Sequence, residues 1–200
     1  MLDGIKSPVR WPFGHLRMFG YGMILCDPPW SYEMYSDKGY EKSPEAHYDT
    51  MSDDDLLNLP VGELASGDCT LIMWAVWPKL PLAHACMARW GFRHITGGAW
   101  IKTTKDGTKL RIGTGYTMRS ACEPFLIGRI GSPQARLTNV PNAIIQPGRE
   151  HSRKPEEMRE IAERMSPSSF RCELFAREAW PGNDVWGNEV EKFDCEEGAA

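Results

Sequence analysis

The stretch YGMILCDPPWSYE, residues 21–33, decides the fold. Met23-Ile24-Leu25-Cys26 is a short apolar run of the kind a buried strand carries, and it ends abruptly on Asp27-Pro28-Pro29-Trp30. Neither proline can donate to a ladder, and a residue before proline is held away from helix, so the chain must leave the sheet extended. A solvent turn would draw Gly, Asn or Ser rather than tryptophan. The rigid segment is read as holding Asp27 and Trp30 in fixed positions.

Working outward, further strands are expected at 69–74 (CTLIMW), 94–101 (HITGGAWI), 122–128 (CEPFLIG), 143–146 (AIIQ) and 170–175 (FRCELF). Helices fall between several of them. Ser52 is an N-cap with Asp55 three residues on, and Pro60 stops the helix after Leu56 and Leu59. Residues 79–90 form a second helix closed by Gly91. In KPEEMREIAERMSP, Pro155 suits a first turn, Glu156 and Glu157 suit the positive end of the dipole, and Met158, Ile161, Ala162 and Met165 make one apolar face. Apolar strands alternating with amphipathic helices argue for an α/β fold with a mostly parallel sheet.

Two hundred residues at 42% hydrophobic suit a single domain, residues 1–200. The opening thirty residues show no signal-peptide pattern and no run approaches bilayer length, so a cytoplasmic chain with no membrane partner is expected. The six cysteines (Cys26, Cys69, Cys86, Cys122, Cys172, Cys195) never fall in a CxxC spacing and are read as reduced thiols. The five histidines are scattered, and no metal site is expected.

Charge is unevenly spread. Lys102 to Lys154 holds ten basic residues against Asp106, Glu123 and Glu150, so the segment is +7 on a chain whose total is −4. A basic stretch on an acidic body is the footprint of a polyanion-binding face, or else of ordinary solvated loops. Residues 103–119 and 129–142, rich in Gly, Thr and basic side chains, carry most of that charge. They are expected as mobile nucleic-acid-facing loops, and residues 191–200 as a disordered tail.

In an open α/β sheet, ligands bind beyond the carboxyl ends of the strands, where Asp27 sits. Its carboxylate and the Pro28 carbonyl give two adjacent acceptors, matched to a group with two N–H donors, and Trp30 offers a flat face. An extruded adenine or cytosine held by its amino group fits that combination. The plainer reading is a strand end whose aspartate caps a helix while the tryptophan fills the core.

The ordered set CDPPW, HYDTMSDDDLLNLPV, LIMWAVWPKL, WGF, AWIKT, GTGYTMRSACEPFLIG, SRKPEEMREIAERMSP, CELFARE and VWGNEV resembles the MT-A70 family of N6-adenine methyltransferases, over roughly Trp11 to Val190. The resemblance implies a Rossmann-like methyltransferase fold with helices on both faces, the catalytic DPPW strand preceding the cofactor-binding strands. It also implies S-adenosylmethionine as methyl donor, S-adenosylhomocysteine as product, and no metal. Asp27, Pro28, Pro29 and Trp30 are the implied catalytic residues, Asp27 and the Pro28 carbonyl binding the adenine amino protons. Alignment rather than a strong base then suffices for transfer.

Carried over residue by residue, Cys26, Asp27, Lys154, Phe175, Arg177, Asn188 and Glu189 are implied on the cofactor side, Lys154 pairing with its carboxylate and Arg177 and Asn188 with its ribose. Tyr48, Trp100, Lys102, Arg119 and Glu123 are implied on the target-base side. Trp74 suits either the site or the core, the core being preferred. The chain departs from the family at PGNDVW, where Asn183 replaces a tryptophan, at Glu178-Ala179-Trp180, where relatives carry a His-Asn pair, and in its lead, which lacks an acidic cofactor contact. The implied partner is nucleic acid, DNA ahead of RNA, with a homodimer or a heterodimer with a related subunit open. Competing readings are a catalytically silent nucleic-acid-binding subunit, disfavoured by an intact Asp27, and transfer to cytosine or to a protein glutamine, whose enzymes usually begin the motif with Asn or Ser.

Overall fold

The computed structural model describes residues 11–31, 51–115, 117–134, 137–149 and 153–190. Seven strands form one sheet: β1 (Tyr21–Cys26), β2 (Ala65–Trp74), β3 (Arg93–Thr103), β4 (Cys122–Ile130), β5 (Ala143–Pro147), β6 (Arg171–Leu174) and β7 (Asp184–Trp186). Their spatial order is β5-β3-β4-β2-β1-β6-β7. The β1–β2, β1–β6, β6–β7 and β3–β5 pairs are parallel, and β4 runs antiparallel to both β2 and β3. The mostly parallel α/β sheet is thus present, with one reversed strand inside it.

Three helices, α1 (Asp53–Asn58), α2 (Leu80–Arg89) and α3 (Glu157–Met165), cover its faces. The period-2 alternation of β1 assigns them. Ile24 and Cys26 share a core with Leu56 of α1 and with Ala83, Cys86 and Met87 of α2. Met23 and Leu25 share another with Met158, Ile161 and Ala162 of α3. All six residues of β1 are therefore buried, as a strand covered on both faces must be. Each large aliphatic side chain so enclosed contributes roughly 1.5–3 kcal/mol.

The helix ends follow the local chemistry. The Asp55 N–H donates to the Ser52 hydroxyl at 3.1 Å, fixing the start of α1. Gly91 follows α2 at φ +84°, a left-handed conformation that glycine adopts without a Cβ penalty. Helix α3 begins two residues later than Pro155, whose carbonyl instead accepts the Met158 N–H at 3.1 Å.

Several boundaries differ from the expectation. β3 runs on to Thr103 because Lys102 and Thr103 continue the ladder with β5, and β4 runs on to Ile130 against β2. The loop expected at 129–142 therefore begins two residues later. β7 was not anticipated, because Asp184-Val185-Trp186 is too short to show a period and its strand character comes from pairing with β6. Four of the five described cysteines are buried core residues, and Cys122 is half-buried. Among the described residues no helix is long and apolar enough to cross a membrane. Tyr48 and residues 191–200 lie outside the described residues.

Candidate active site

Asp27 follows β1 directly, at the carboxyl end of the central strands, and its N–H still donates to the Leu174 carbonyl of β6 at 3.3 Å. Beyond it the chain is braced. The Trp30 N–H donates to the Pro28 carbonyl at 2.8 Å, and the Met51 N–H to the Pro29 carbonyl at 3.1 Å. The Trp30 indole N–H reaches the Trp74 carbonyl at 3.3 Å, across from the next strand. Trp30 is 4% exposed and packs in the α1/α2 core, which corrects the expectation that its face lies open for a base. Its part is to hold the Asp-Pro-Pro turn. Pro28 also differs from the expectation in one respect: one lone pair of its carbonyl is occupied, leaving the other.

Asp27 opens on a cleft lined also by Trp74, Lys154, Glu173, Phe175 and Arg177. Lys154, delivered by the segment before α3, donates to Asp27 Oδ2 at 2.8 Å and lies 3.5 Å from Glu123 Oε2. Glu123 on β4 also binds Lys102 on β3. Four sequence-distant residues thus form one line of alternating charge, Asp27–Lys154–Glu123–Lys102. Burial would pull the Lys154 ammonium down, but Asp27 and Glu123 outweigh it and raise its pKa. Burial pushes the Glu123 carboxyl up, and Lys154 and Lys102 more than offset this, holding it below the usual range. Lys154 stays charged and Glu123 ionised. Asp27 Oδ1 has no protein partner among the described residues.

On the other side of the cleft, Phe175 follows β6 at φ +62°, a strained conformation for a residue with a side chain. Its ring meets Trp186 of β7 edge-on at 5.3 Å. Arg177 lies 3.4 Å from Glu189, joining the two segments that follow β6 and β7. Gly187 allows this approach, since a Cβ there would stand 2.5 Å from the Ala176 carbonyl oxygen. Asn188, beside Glu189, is exposed.

Of the other expected site residues, Trp100, Cys26 and Arg119 do not join the cleft through their side chains. Trp100 is 1% exposed, its indole N–H bound to the Gln146 carbonyl at 3.1 Å, so it sits within the core. Lys102 stands 4.7 Å over its ring. The Cys26 thiol lies on the α1/α2 face, and burial pushes it up. Arg119 is exposed on the segment between β3 and β4, its Nε–H on the Gly113 carbonyl. Trp74 is both core and wall: it meets Phe125 at 5.5 Å and Trp100 at 6.4 Å, while Lys154 stands 5.6 Å over its ring.

The site also contains residues that sequence reasoning missed. Arg159, buried on α3, binds Glu173 Oε2 at 2.7–2.8 Å and donates to the carbonyls of Glu178 and Ala179. Arg153 pairs with Glu178. Burial, with Asp27 and Glu178 nearby, pushes the Glu173 carboxyl up to about 7 against the opposing pull of Arg159. The one available signal was a charged residue at position 173 inside an apolar strand, where an ion must have a partner. Among the described residues no cluster of three or more His, Cys, Asp or Glu is placed to hold a metal ion.

The family model that matches this chain is MT-A70, over residues 21–189. The chain belongs to the MT-A70 family. It is 32% identical over 158 residues to the N(6)-adenosine-methyltransferase MT-A70-like of Arabidopsis thaliana, covering 78% of this chain and 22% of that one. With the N(6)-adenosine-methyltransferase catalytic subunit METTL3 of Homo sapiens, identity is 30% over 161 residues, 78% of this chain and 26% of that one. Against the type II methyltransferase M.MunI of Mycoplasma sp it is 29% over 203 residues, covering 92% and 84%. The chain spans about a quarter of the plant and animal family members it matches. The matched MT-A70 region runs from the first residue of β1 to Glu189, so it takes in the whole cleft.

Proposed function

We propose that this chain transfers a methyl group from S-adenosylmethionine to the exocyclic N6 of adenine in DNA. The observation that carries this reading is the state of the Asp-Pro-Pro turn. Among the described residues, Asp27 Oδ1 and one lone pair of the Pro28 carbonyl have no protein partner and remain for a ligand with two N–H donors, while Lys154, Glu123 and Lys102 are paired. An adenine amino group is such a ligand.

The cleft residues fit the cofactor by donor set. Lys154 carries three N–H donors, two of them directed at Asp27 and Glu123, which leaves one for the cofactor's carboxylate. The Arg177–Glu189 pair supplies a donor and an acceptor for ribose hydroxyls, with Asn188 beside it, and Phe175 an apolar wall. Bound S-adenosylmethionine supplies an electrophilic methyl group. Asp27 and Pro28 would orient the amino nitrogen for transfer, and Lys154 holds the Asp27 carboxylate in place. Lys102, held by Glu123, lines the base side. Catalysis by alignment and fixed charge needs no covalent enzyme intermediate.

DNA is favoured by the match to a type II methyltransferase along most of both chains, and RNA is the second reading, supported by the relatives named adenosine methyltransferases. The test is incubation with labelled S-adenosylmethionine and, separately, duplex DNA, single-stranded DNA, RNA and protein extract. We expect N6-methyladenine in DNA, and its loss in Asp27→Ala. Label confined to RNA moves the substrate, and label on cytosine or protein overturns the reading.

A further inference from the structure

Trp77 is a large aromatic side chain that the site described above does not use. It lies three residues beyond Trp74, in the 3-10 turn Trp77–Lys79, and is 51% exposed. Its indole N–H is nonetheless committed, donating to the Cys122 carbonyl at 3.2 Å. Pro78 follows it, and Lys79 is anchored to both carboxylate oxygens of Asp53 at 2.9 Å. The ring is thus held from both sides with its apolar body in water. Such an arrangement forgoes burial of an aromatic surface worth 150–250 Å² in ordinary packing, and it loses little freedom when something covers the ring.

The surroundings indicate what covers it. Cys122 closes the basic segment between β3 and β4, which is pinned at its base by the Arg111 N–H on the Lys102 carbonyl and the Gly113 N–H on the Ser120 carbonyl. Lys105, Lys109, Arg111 and Arg119 are exposed there and form no ion pair among the described residues. The one acid, Asp106, is engaged by the hydroxyls of Thr104 and Thr108. A fixed aromatic face beside uncompensated positive charge is complementary to single-stranded nucleic acid, in which phosphates and unstacked bases are presented together. Position agrees. Three residues span at most about 11 Å, and Trp74 itself lines the Asp27 cleft. At about 3.4 Å per stacked nucleotide, that puts Trp77 within about three nucleotides of the Trp74 wall of the cleft.

We propose that Trp77 is a stacking platform for an unpaired base flanking the target adenine, with the basic segment beside it holding the strand's phosphates. This rests on the nucleic-acid reading above. The experiment is fluorescence anisotropy with a short labelled single-stranded DNA of mixed sequence, its RNA counterpart and its duplex, across a salt series, for the full chain and for Trp77→Ala and Trp77→Phe. Stacking predicts that Trp77→Ala weakens single-strand binding roughly 5- to 150-fold with the salt slope unchanged, that duplex binding falls less, and that Trp77→Phe recovers most of the loss. Cofactor affinity stays as in the parent, and both variants lose the indole hydrogen bond to Cys122 alike. The proposal alone is overturned if Trp77→Ala binds the single strand like the parent, or if Trp77→Phe, which keeps an aromatic face, loses binding as fully as Trp77→Ala. It is also overturned if sedimentation shows the parent as a dimer that Trp77→Ala dissociates, since the ring then covers a second copy. A parent chain that binds no nucleic acid sinks the parent reading together with this one.

Discussion

Glu173 is where a single side chain sets a pH dependence for the whole fold. Its carboxyl is pushed up to about 7 in the folded chain from an ordinary value of 4.5. Between those values the folded state holds a proton that the unfolded state has lost, so stability falls as pH rises through about 4.5 to 7. The magnitude is about 3 kcal/mol at most, from 1.36 kcal/mol per unit. Glu123 acts in the opposite direction, its depressed pKa stabilising above the ordinary carboxylate range and failing as pH falls below it. Thermal melts of Glu173→Gln between pH 4.5 and 7 are therefore expected to be flatter than those of the parent. An unchanged slope would assign the proton elsewhere. None of this was legible in the sequence beyond an ion at position 173 in an apolar strand, since its partner Arg159 comes from another element and its shift comes from burial.

At the scale of elements, α3 connects packing to the site. Met158 is 2% exposed against the Met23/Leu25 face of β1, and Lys154 lies four residues before it, at the entry to the helix. Met158→Ala removes that anchor. The expected cost is about 2–5 kcal/mol, read as a lowered denaturation midpoint, together with a raised Kd for S-adenosylmethionine by calorimetry. A destabilised variant with unchanged cofactor affinity would show that Lys154 is placed independently of the helix. The helix itself was readable from the 158, 161, 162, 165 spacing, and so was the Ser52 cap of α1, because both are local patterns. The short β7 was not, because a three-residue strand is made by its neighbour.

At the scale of the molecule, eight of the ten bases between residues 102 and 154 fall into two groups. Lys102, Lys154, Arg153 and Arg149 are spent in pairs with Glu123, Asp27, Glu178 and Glu156. The exposed bases between β3 and β4 remain, on a chain of net charge −4. Replacing Lys105, Lys109 and Arg111 with Ala together is expected to reduce the slope of log affinity against log salt by about 2–3, at about 0.7–0.9 per phosphate contact. Cofactor affinity is expected to hold. An unchanged slope would place the phosphates on another face.

What the sequence determined by itself was what repeats or ends locally: the buried strand halted at Asp27-Pro28-Pro29-Trp30, the capped and amphipathic helices, and the alternation that makes the sheet mostly parallel. Only the tertiary structure decided which charges meet. Asp27, Lys154, Glu123 and Lys102 stand on four separate segments, and Trp30, which reads as an open platform, becomes a buried brace once β2 lies beside β1. Ion pairs and burial depend on distances between segments far apart in the chain. Those distances follow from strand order, which local pattern does not encode.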